Sequence, residues 1–414
     1  MDFRFLHAAD LHLDSPLRGL SVYEGVPADL VRTATRGALD NLVEHAISEE
    51  VAFVILAGDL YDGSWEAFAT GLYFCKAMGR LERAGIAVYL LYGNHDAESH
   101  LTSQLPLPAN VKVFSKKAAQ TYEHPATGAV LHGHSYAARD PGGDLVPGYP
   151  APKAGAFNIG VLHTALTGDR GHDPYAPCTP DQLAAKGYDY WALGHVHGFE
   201  VVRRDPPIVF PGNLQGRHIR ETGPKGAALI SVSEGQVTGV EHVALDVVRW
   251  VLAEVDIGTA GEAGEVFEAV SATLKTALTQ ADGRPLMARV RFSGESPLHA
   301  QFAADRRALR EGVRAVAMGI SDQVWIEKVD LASRDLGTVA TGSDEFEAIL
   351  TELALDPRME ADLARDLADF IAKAPAELDA ELAWLERARA GTLAPLLAEA
   401  ATTLRARLGM EAVP

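Results

Sequence analysis

Gly93-Asn94-His95-Asp96 follows Ile86-Ala87-Val88-Tyr89-Leu90-Leu91, a continuous apolar run of strand formers. Such a run reads as a buried parallel strand, and α/β sheets place their ligands at the C-terminal ends of parallel strands. Asn94, His95 and Asp96 bring a carboxamide, an imidazole and a carboxylate to that point. Together these groups can hold a divalent cation and move a proton beside it. Alone, the tetrapeptide also suits a plain turn, because Gly-Asn accepts positive φ. The chain, however, repeats the pattern. Residues 3–9 lead into Asp10-Leu11-His12, and residues two apart on a strand share a face. Residues 51–57 lead into Gly58-Asp59-Leu60-Tyr61-Asp62, residues 157–162 end at His163, and residues 188–193 end in Gly194-His195-Val196-His197. Asp10, His12, Asp59, Asn94, His163, His195 and His197 are therefore candidate metal ligands, and the two oxygens of Asp59 can bridge two ions. All are N or O donors and none is a thiolate. That set suits Mn²⁺ or another first-row divalent ion, disfavours a structural zinc, and is too rich in imidazole for calcium. His132-Gly133-His134 has the form of another metal pair but reads as structural, since the set is complete without it.

The strand ends need a frame. Periodicity predicts helices over residues 27–50 and 65–84, giving β-α-β-α-β order and a parallel sheet. The five ligand-bearing strand ends are expected on one such sheet. Short strands are expected near residues 111–114 and 128–131. Those at 201–202, 208–210 and 227–232 read as antiparallel strands closing a second sheet. Among the latter runs the loop Asn213-Leu214-Gln215-Gly216-Arg217-His218-Ile219-Arg220, basic in an acidic chain. Arg217, Arg220 and Lys225 are candidate phosphate contacts. From residue 247 the character changes to a small α+β domain, with strands at 248–257, 287–292 and 324–331 and helices at 262–278 and 297–316. From residue 343 the pattern is helical and acidic. Its apolar positions are Leu350, Leu353, Leu363, Leu367, Phe370, Ile371, Leu382, Leu385, Leu393, Leu396 and Leu397. Leu363, Leu367, Phe370 and Ile371 share one helix side, which either packs internally or receives a partner helix.

The 414 residues exceed what one core organises, so two or three domains are expected: 1–245, 246–335 and the tail 343–414. Charged residues are 22% and hydrophobic ones 47%, which places the chain among soluble globular proteins. The net charge of −19 argues against a free-standing nucleic-acid binder and leaves room for a local basic patch or a DNA-binding partner. Cys75 and Cys178 cannot form a disulfide framework, and a reducing cytoplasm is expected. The N-terminus lacks the pattern of a signal peptide, and no apolar run is long enough for a membrane span.

Asp10-x-His12, Gly58-Asp59-x-x-Asp62, Gly93-Asn94-His95-Asp96, His163 and Gly194-His195-x-His197 resemble the calcineurin-like metallophosphoesterase superfamily. Residues 5–16, Phe-Leu-His-Ala-Ala-Asp-Leu-His-Leu-Asp-Ser-Pro, and residues 211–217 resemble more narrowly the YhaO-like branch of the SbcD-type DNA repair exonucleases. The resemblance is strong to about residue 245 and weaker beyond. It implies a four-layer α/β/β/α sandwich with a small α+β capping domain and a helical C-terminal tail. It also implies two divalent ions, Mn²⁺ first, with iron, magnesium and zinc as the alternatives. One ion would be held by Asp10, His12, Asp59 and His197, the other by Asp59, Asn94, His163 and His195. His95 would protonate the leaving alkoxide, oriented by Asp96. Some relatives carry a His, which aids exonuclease action, where this chain has Asp62. The implied activity is 3′→5′ exonuclease action on DNA, with endonuclease action as an extension, beside an SbcC-like coiled-coil ATPase; a homodimer is a further expected partner. Two other readings compete. One keeps the dimetal chemistry but acts on a nucleotide, cyclic nucleotide or other small phosphodiester, or on a phosphoprotein; the other is a regulatory subunit with a vestigial metal site, which the intact ligand set argues against.

Overall fold

The computed structural model describes residues 2–15, 17, 28–62, 68–97, 106–167, 175–336, 349, 352–353, 356–374 and 383–407. In chain order the first elements are β1 (Phe3–Ala8), α1 (Ala28–Ser48), β2 (Phe53–Ala57), α2 (Phe68–Arg83), β3 (Ala87–Leu91) and the single turn α3 (Asn94–Ala97). Then come β4 (Val111–Val113), β5 (Gln120–Glu123), β6 (Val130–Gly133), β7 (Asn158–His163), α4 (Pro180–Ala185) and β8 (Tyr190–Gly194). β9 (Phe199–Arg204), β10 (Pro207–Pro211), β11 (Gly226–Ser233) and β12 (Gln236–Ala244) follow. The start expected for α2, residues 65–67, lies outside the described residues.

These strands form two six-stranded sheets. The first has the order β12-β11-β1-β2-β3-β4, parallel from β1 to β4; the second has the order β5-β6-β7-β8-β10-β9, parallel from β6 through β10. Two expectations are corrected here. The ligand-bearing strand ends lie on two sheets, since β7 and β8, which deliver His163 and His195, belong to the second. Residues 227–232 do not close that second sheet. They pair antiparallel with β1, with Phe5 opposite Ile230, and lie between β1 and β12 in the first. The run is apolar on both faces, so its sequence suits any buried strand and cannot name its neighbour.

Burial follows the layers. Leu39, Leu42, Phe74 and Met78 of the helices pack with Leu6, Val54 and Leu90 on the outer face of the first sheet. Phe5, Phe53, Ile55, Tyr89, Ile159, Val161 and Tyr190 fill the space between the sheets, where Phe5 stacks on Phe53 at 5.0 Å. Leu183, Trp191, Tyr188, Tyr149 and Phe210 cover the far face of the second sheet. Each such fully buried side chain contributes about 1.5–3 kcal/mol. The result is an α/β/β/α sandwich.

The chain divides into two compact units: residues 1–251 with 278–287, and residues 252–277 with 288–414. Beyond β12, the elements β13 (Arg249–Asp256), α5 (Ala263–Gln280), β14 (Leu286–Ser293), β15 (Glu295–Ser296), α6 (His299–Ala304), α7 (Arg306–Ile320), β16 (Val324–Leu331) and β17 (Arg334–Asp335) occur in that order. β13, β14 and β16 form a three-stranded sheet, and β15 pairs with β17. The single helix expected over 297–316 is two helices. Asp305 breaks it with non-helical backbone, and its carboxylate caps α7 by accepting from the Ala308 N–H at 2.8 Å. In the tail, the helix Pro357–Lys373 is capped by Asp356, and the helix Ala394–Arg407 packs on α6. Leu385 and Leu393 are buried; Leu353 is exposed; Leu350 and Leu382 lie outside the described residues.

Candidate metal centre

The C-terminal ends of β1, β2, β3, β7 and β8 converge. Ligand atoms of Asp10, His12 and His197 lie within 4.8 Å of one another, and so do those of Asp59, His163 and His195. Asp59 touches both groups, with Oδ2 3.4 Å from His163 Nε2 and 4.0 Å from His12 Nε2. Asn94 Oδ1 lies 2.9 Å from His163 Nε2. Thus all seven expected ligands come together in one place, in two half-sites that share Asp59.

The backbone is bent to make this possible. Asp10, His12, Asp59 and His195 all have left-handed φ, at 51°, 41°, 53° and 101°. Non-glycine residues hold such backbone at a cost of about 1–3 kcal/mol each, and such strain gathers at functional sites. The glycines of the motifs permit close approach. A Cβ at Gly194 would stand 2.0 Å from the Ala57 carbonyl oxygen, and one at Gly93 2.3 Å from Asp59 Oδ1. Hydrogen bonds then lock the strand ends within the first sheet and across the two sheets. The His195 N–H donates to Asp10 at 2.9 Å, the His95 N–H donates to Asp59 at 3.0 Å, and His163 Nδ1 donates to the Ala57 carbonyl at 2.9 Å.

The donor set fits a pair of cations. With Nδ1 of His163 spent on Ala57, its Nε2 faces the Asn94 oxygen at 2.9 Å, and burial, which lowers the ring's pKa, is outweighed by the Asp59 charge, which raises it to about 9, so the site draws a proton or a cation to that nitrogen. His12 and His197 point Nε2 atoms at one another at 3.3 Å. Burial, with Arg217 beside it, pushes His12 down to about 3, so the ring is neutral, the form in which imidazole binds metal. Burial pushes the Asp10 carboxyl well up; His163 opposes this and the Asp59 charge reinforces it. A divalent ion supplies the counter-charge that such a buried cluster calls for.

Two roles read from sequence change. Asp96 does not orient His95. Its carboxylate is wholly buried and accepts from the backbone N–H groups of Leu60, Tyr61 and Gly93, so it braces the β2 and β3 ends. The carboxylate beside the His95 ring is Asp62, with Oδ1 3.4 Å from Nδ1; it also lies 3.6 Å from His12 Nδ1 and accepts from Ser15 Oγ at 2.8 Å. Lys225 is not a surface contact. It is buried, burial lowers its pKa, and its ammonium donates to the His197 carbonyl at 2.7 Å. Arg220 is exposed on the loop, whereas Arg217 turns inward. His132 is held by Thr121 and Asn158 and stacks on Tyr188, a structural role.

Sequence reading missed Glu221. It is buried and accepts from His197 Nδ1 at 2.7 Å. Burial pushes its carboxyl up, but the bond from His197 and the Arg217 charge outweigh that and hold it well below the ordinary carboxylate range. Its one signal was an acid in an otherwise basic loop.

Residues 3–199 match the calcineurin-like phosphoesterase family, and residues 250–334 match the middle domain of metallophosphoesterase YhaO. The chain is 36% identical over 300 residues to an uncharacterized metallophosphoesterase, YhaO, of Bacillus subtilis (strain 168), covering 72% of this chain and 73% of that protein. The chain belongs to the calcineurin-like metallophosphoesterases. Solved structures similar to it include a dimetal phosphatase from Danio rerio (13% identity, 58% of this chain, 96% of that one, TM-score 0.36). A protein of Thermus thermophilus is another (12% identity, 58% of this chain, 99% of that one, TM-score 0.34). As a metallophosphoesterase the protein is a metal-dependent phosphoester hydrolase, and its two half-sites are where the ions of that chemistry would be held. Among the described residues no helix is long and apolar enough to cross a membrane.

Proposed function

We propose that this metallophosphoesterase is a Mn²⁺-dependent phosphodiesterase that cleaves DNA as a 3′→5′ exonuclease in repair, in the cytoplasm. The observation that carries the hydrolytic part is the sharing of Asp59 between two half-sites with His95 at their rim. When bound, two ions polarise a phosphodiester and lower the pKa of an attacking water. The protein's own residues do the rest. Asp10, His12, Asp59 and His197 would hold one ion; Asp59, Asn94, His163 and His195 would hold the other. His95, its ring about a third exposed, donates a proton to the leaving alkoxide, and Asp62 at Nδ1 orients it so that Nε2 meets the substrate. Asp96 keeps the two strand ends in register.

The DNA part of the proposal rests on the SbcD-type resemblance of residues 5–16 and 211–217 and on Arg220, exposed on the loop that carries Arg217 and Glu221, as a phosphate contact. A chain at −19 gains little affinity for DNA from its bulk charge, so an SbcC-like ATPase partner is part of the proposal. Its seat is the helix Pro357–Lys373, where Phe370 is 46% exposed and stacks on Trp384 while Leu363, Leu367 and Ile371 are half-buried. Labelled single- and double-stranded DNA incubated with Mn²⁺, Mg²⁺ or EDTA, beside a chromogenic phosphodiester, tests the reading. Nucleotide release from 3′ ends with Mn²⁺ and none with EDTA is expected. Hydrolysis of the small diester with no attack on DNA in the presence of the ATPase would overturn the DNA assignment.

A further inference from the structure

Glu221 uses both of its oxygens, and on different parts of the site. Oε1 accepts from His197 Nδ1 at 2.7 Å and from Arg217 Nη2 at 3.1 Å; Oε2 accepts from the Arg217 backbone N–H at 2.7 Å and from Asn213 Nδ2 at 2.9 Å. The carboxylate is 5% exposed. Arg217 is thus held at its backbone and at its guanidinium by one group. Its other terminal nitrogen, Nη1, lies 3.4 Å from Ser15 Oγ and 4.0 Å from Asp62 Oδ1, beside the residue that faces His95. A guanidinium fixed at this point offers a planar pair of donors to a phosphate oxygen, and its rotamer freedom is already lost before substrate arrives.

We propose that Glu221 is a positioning residue that ties the metal ligand His197 to Arg217, making Arg217 a pre-organised contact for a substrate phosphate oxygen at the Asp10–His12–His197 half-site. The inference rests on the phosphodiesterase reading for its substrate half only. A carboxylate behind a ligating imidazole fixes the ring and raises its basicity, whether or not a diester binds.

The two residues separate by experiment. Mn²⁺ binding is measured by calorimetry, and kcat and KM on a chromogenic phosphodiester are measured in parallel, for wild type, Glu221→Gln, Glu221→Asp and Arg217→Gln. Glu221→Gln is expected to weaken binding of one Mn²⁺ by about 10–100-fold and to raise KM. Glu221→Asp should recover part of both. Arg217→Gln should raise KM with Mn²⁺ affinity undiminished, because removing a cation beside a cation site does not weaken it. Unchanged Mn²⁺ affinity in a folded Glu221→Gln protein overturns the tie to His197. An unchanged KM in Arg217→Gln overturns the phosphate contact. Should Glu221→Gln fail to fold, wild-type Mn²⁺ affinity and wild-type KM in Glu221→Asp, whose shorter arm cannot reach both partners, would overturn the proposal. If wild type shows no diester hydrolysis with Mn²⁺, the phosphodiesterase reading fails, while the calorimetry still decides the role of Glu221.

Discussion

The two half-sites are built by different means. The half-site of Asp59, Asn94, His163 and His195 is buried throughout and is held by main chain, with His163 donating to the Ala57 carbonyl and Gly194 packed against the same peptide. The half-site of Asp10, His12 and His197 is backed by side chains: Asp62 lies behind His12, and Glu221 behind His197. His197 and Asp62 are partly exposed, with side-chain exposures of 17% and 28%. A half held by main chain is fixed once the two sheets pack. A half held by carboxylates can be tuned by single substitutions that leave the fold intact. The centre therefore joins a rigid wall to an adjustable one, and His95 and Arg217 stand on the adjustable side.

Breaking the shared residue should have the largest effect. Asp59→Asn removes the charge common to both halves, and elemental analysis after mild purification should show both ions largely lost; wild-type metal content in this variant would mean that the halves do not share it. His95→Ala should slow turnover by about 10²–10⁴-fold while keeping the metal, with recovery on substrates bearing a good leaving group. Loss of metal instead would make His95 a ligand. Asp62→Asn sharpens the contrast between the halves. It should weaken one ion by about 10-fold or more and leave the other unchanged, as titration with Mn²⁺ would resolve. Equal weakening of both would erase the distinction.

A last test leaves the metal aside and probes the packing beneath the main-chain half. His7 lies buried between the sheets, accepting from the Tyr190 hydroxyl at Nδ1 and donating to the Leu193 carbonyl from Nε2. Burial pushes it from the ordinary 6.5 down to about 3. Above pH 6.5 neither folded nor unfolded chain protonates it. As pH falls from about 6.5 towards 3, the unfolded chain takes a proton that the folded one refuses, so stability drops by up to about 1.4 kcal/mol per pH unit from this group. Denaturant melts of the chelated protein across that window should show a shallower slope in His7→Gln. An identical slope would remove His7 from the account.

Much of the centre was legible in sequence because each ligand follows its own buried strand, and a strand end is a local property. Asp10, His12, Asp59, Asn94, His163, His195 and His197 could be picked out without knowing which strands pair. The glycines before Asp59, Asn94 and His195 marked the close approaches now seen at Ala57 and Asp59. What lies behind the ligands was not legible. Asp96 follows His95 directly in sequence, yet its carboxylate turns into the β2 end, while Asp62, from the loop after β2, takes the place beside the ring. Lys225 looked like surface charge and is buried under His197; Glu221 drew no notice and holds that same ring. The assignment of β11 to the first sheet likewise depended on a partner 225 positions away in the pairing of Phe5 with Ile230. Sequence determines which side chains a strand delivers, because the alternation and termination of a strand are set by its own residues. Which carboxylate stands behind which imidazole is decided only when two sheets pack face to face, since that contact has no periodicity along the chain to announce it.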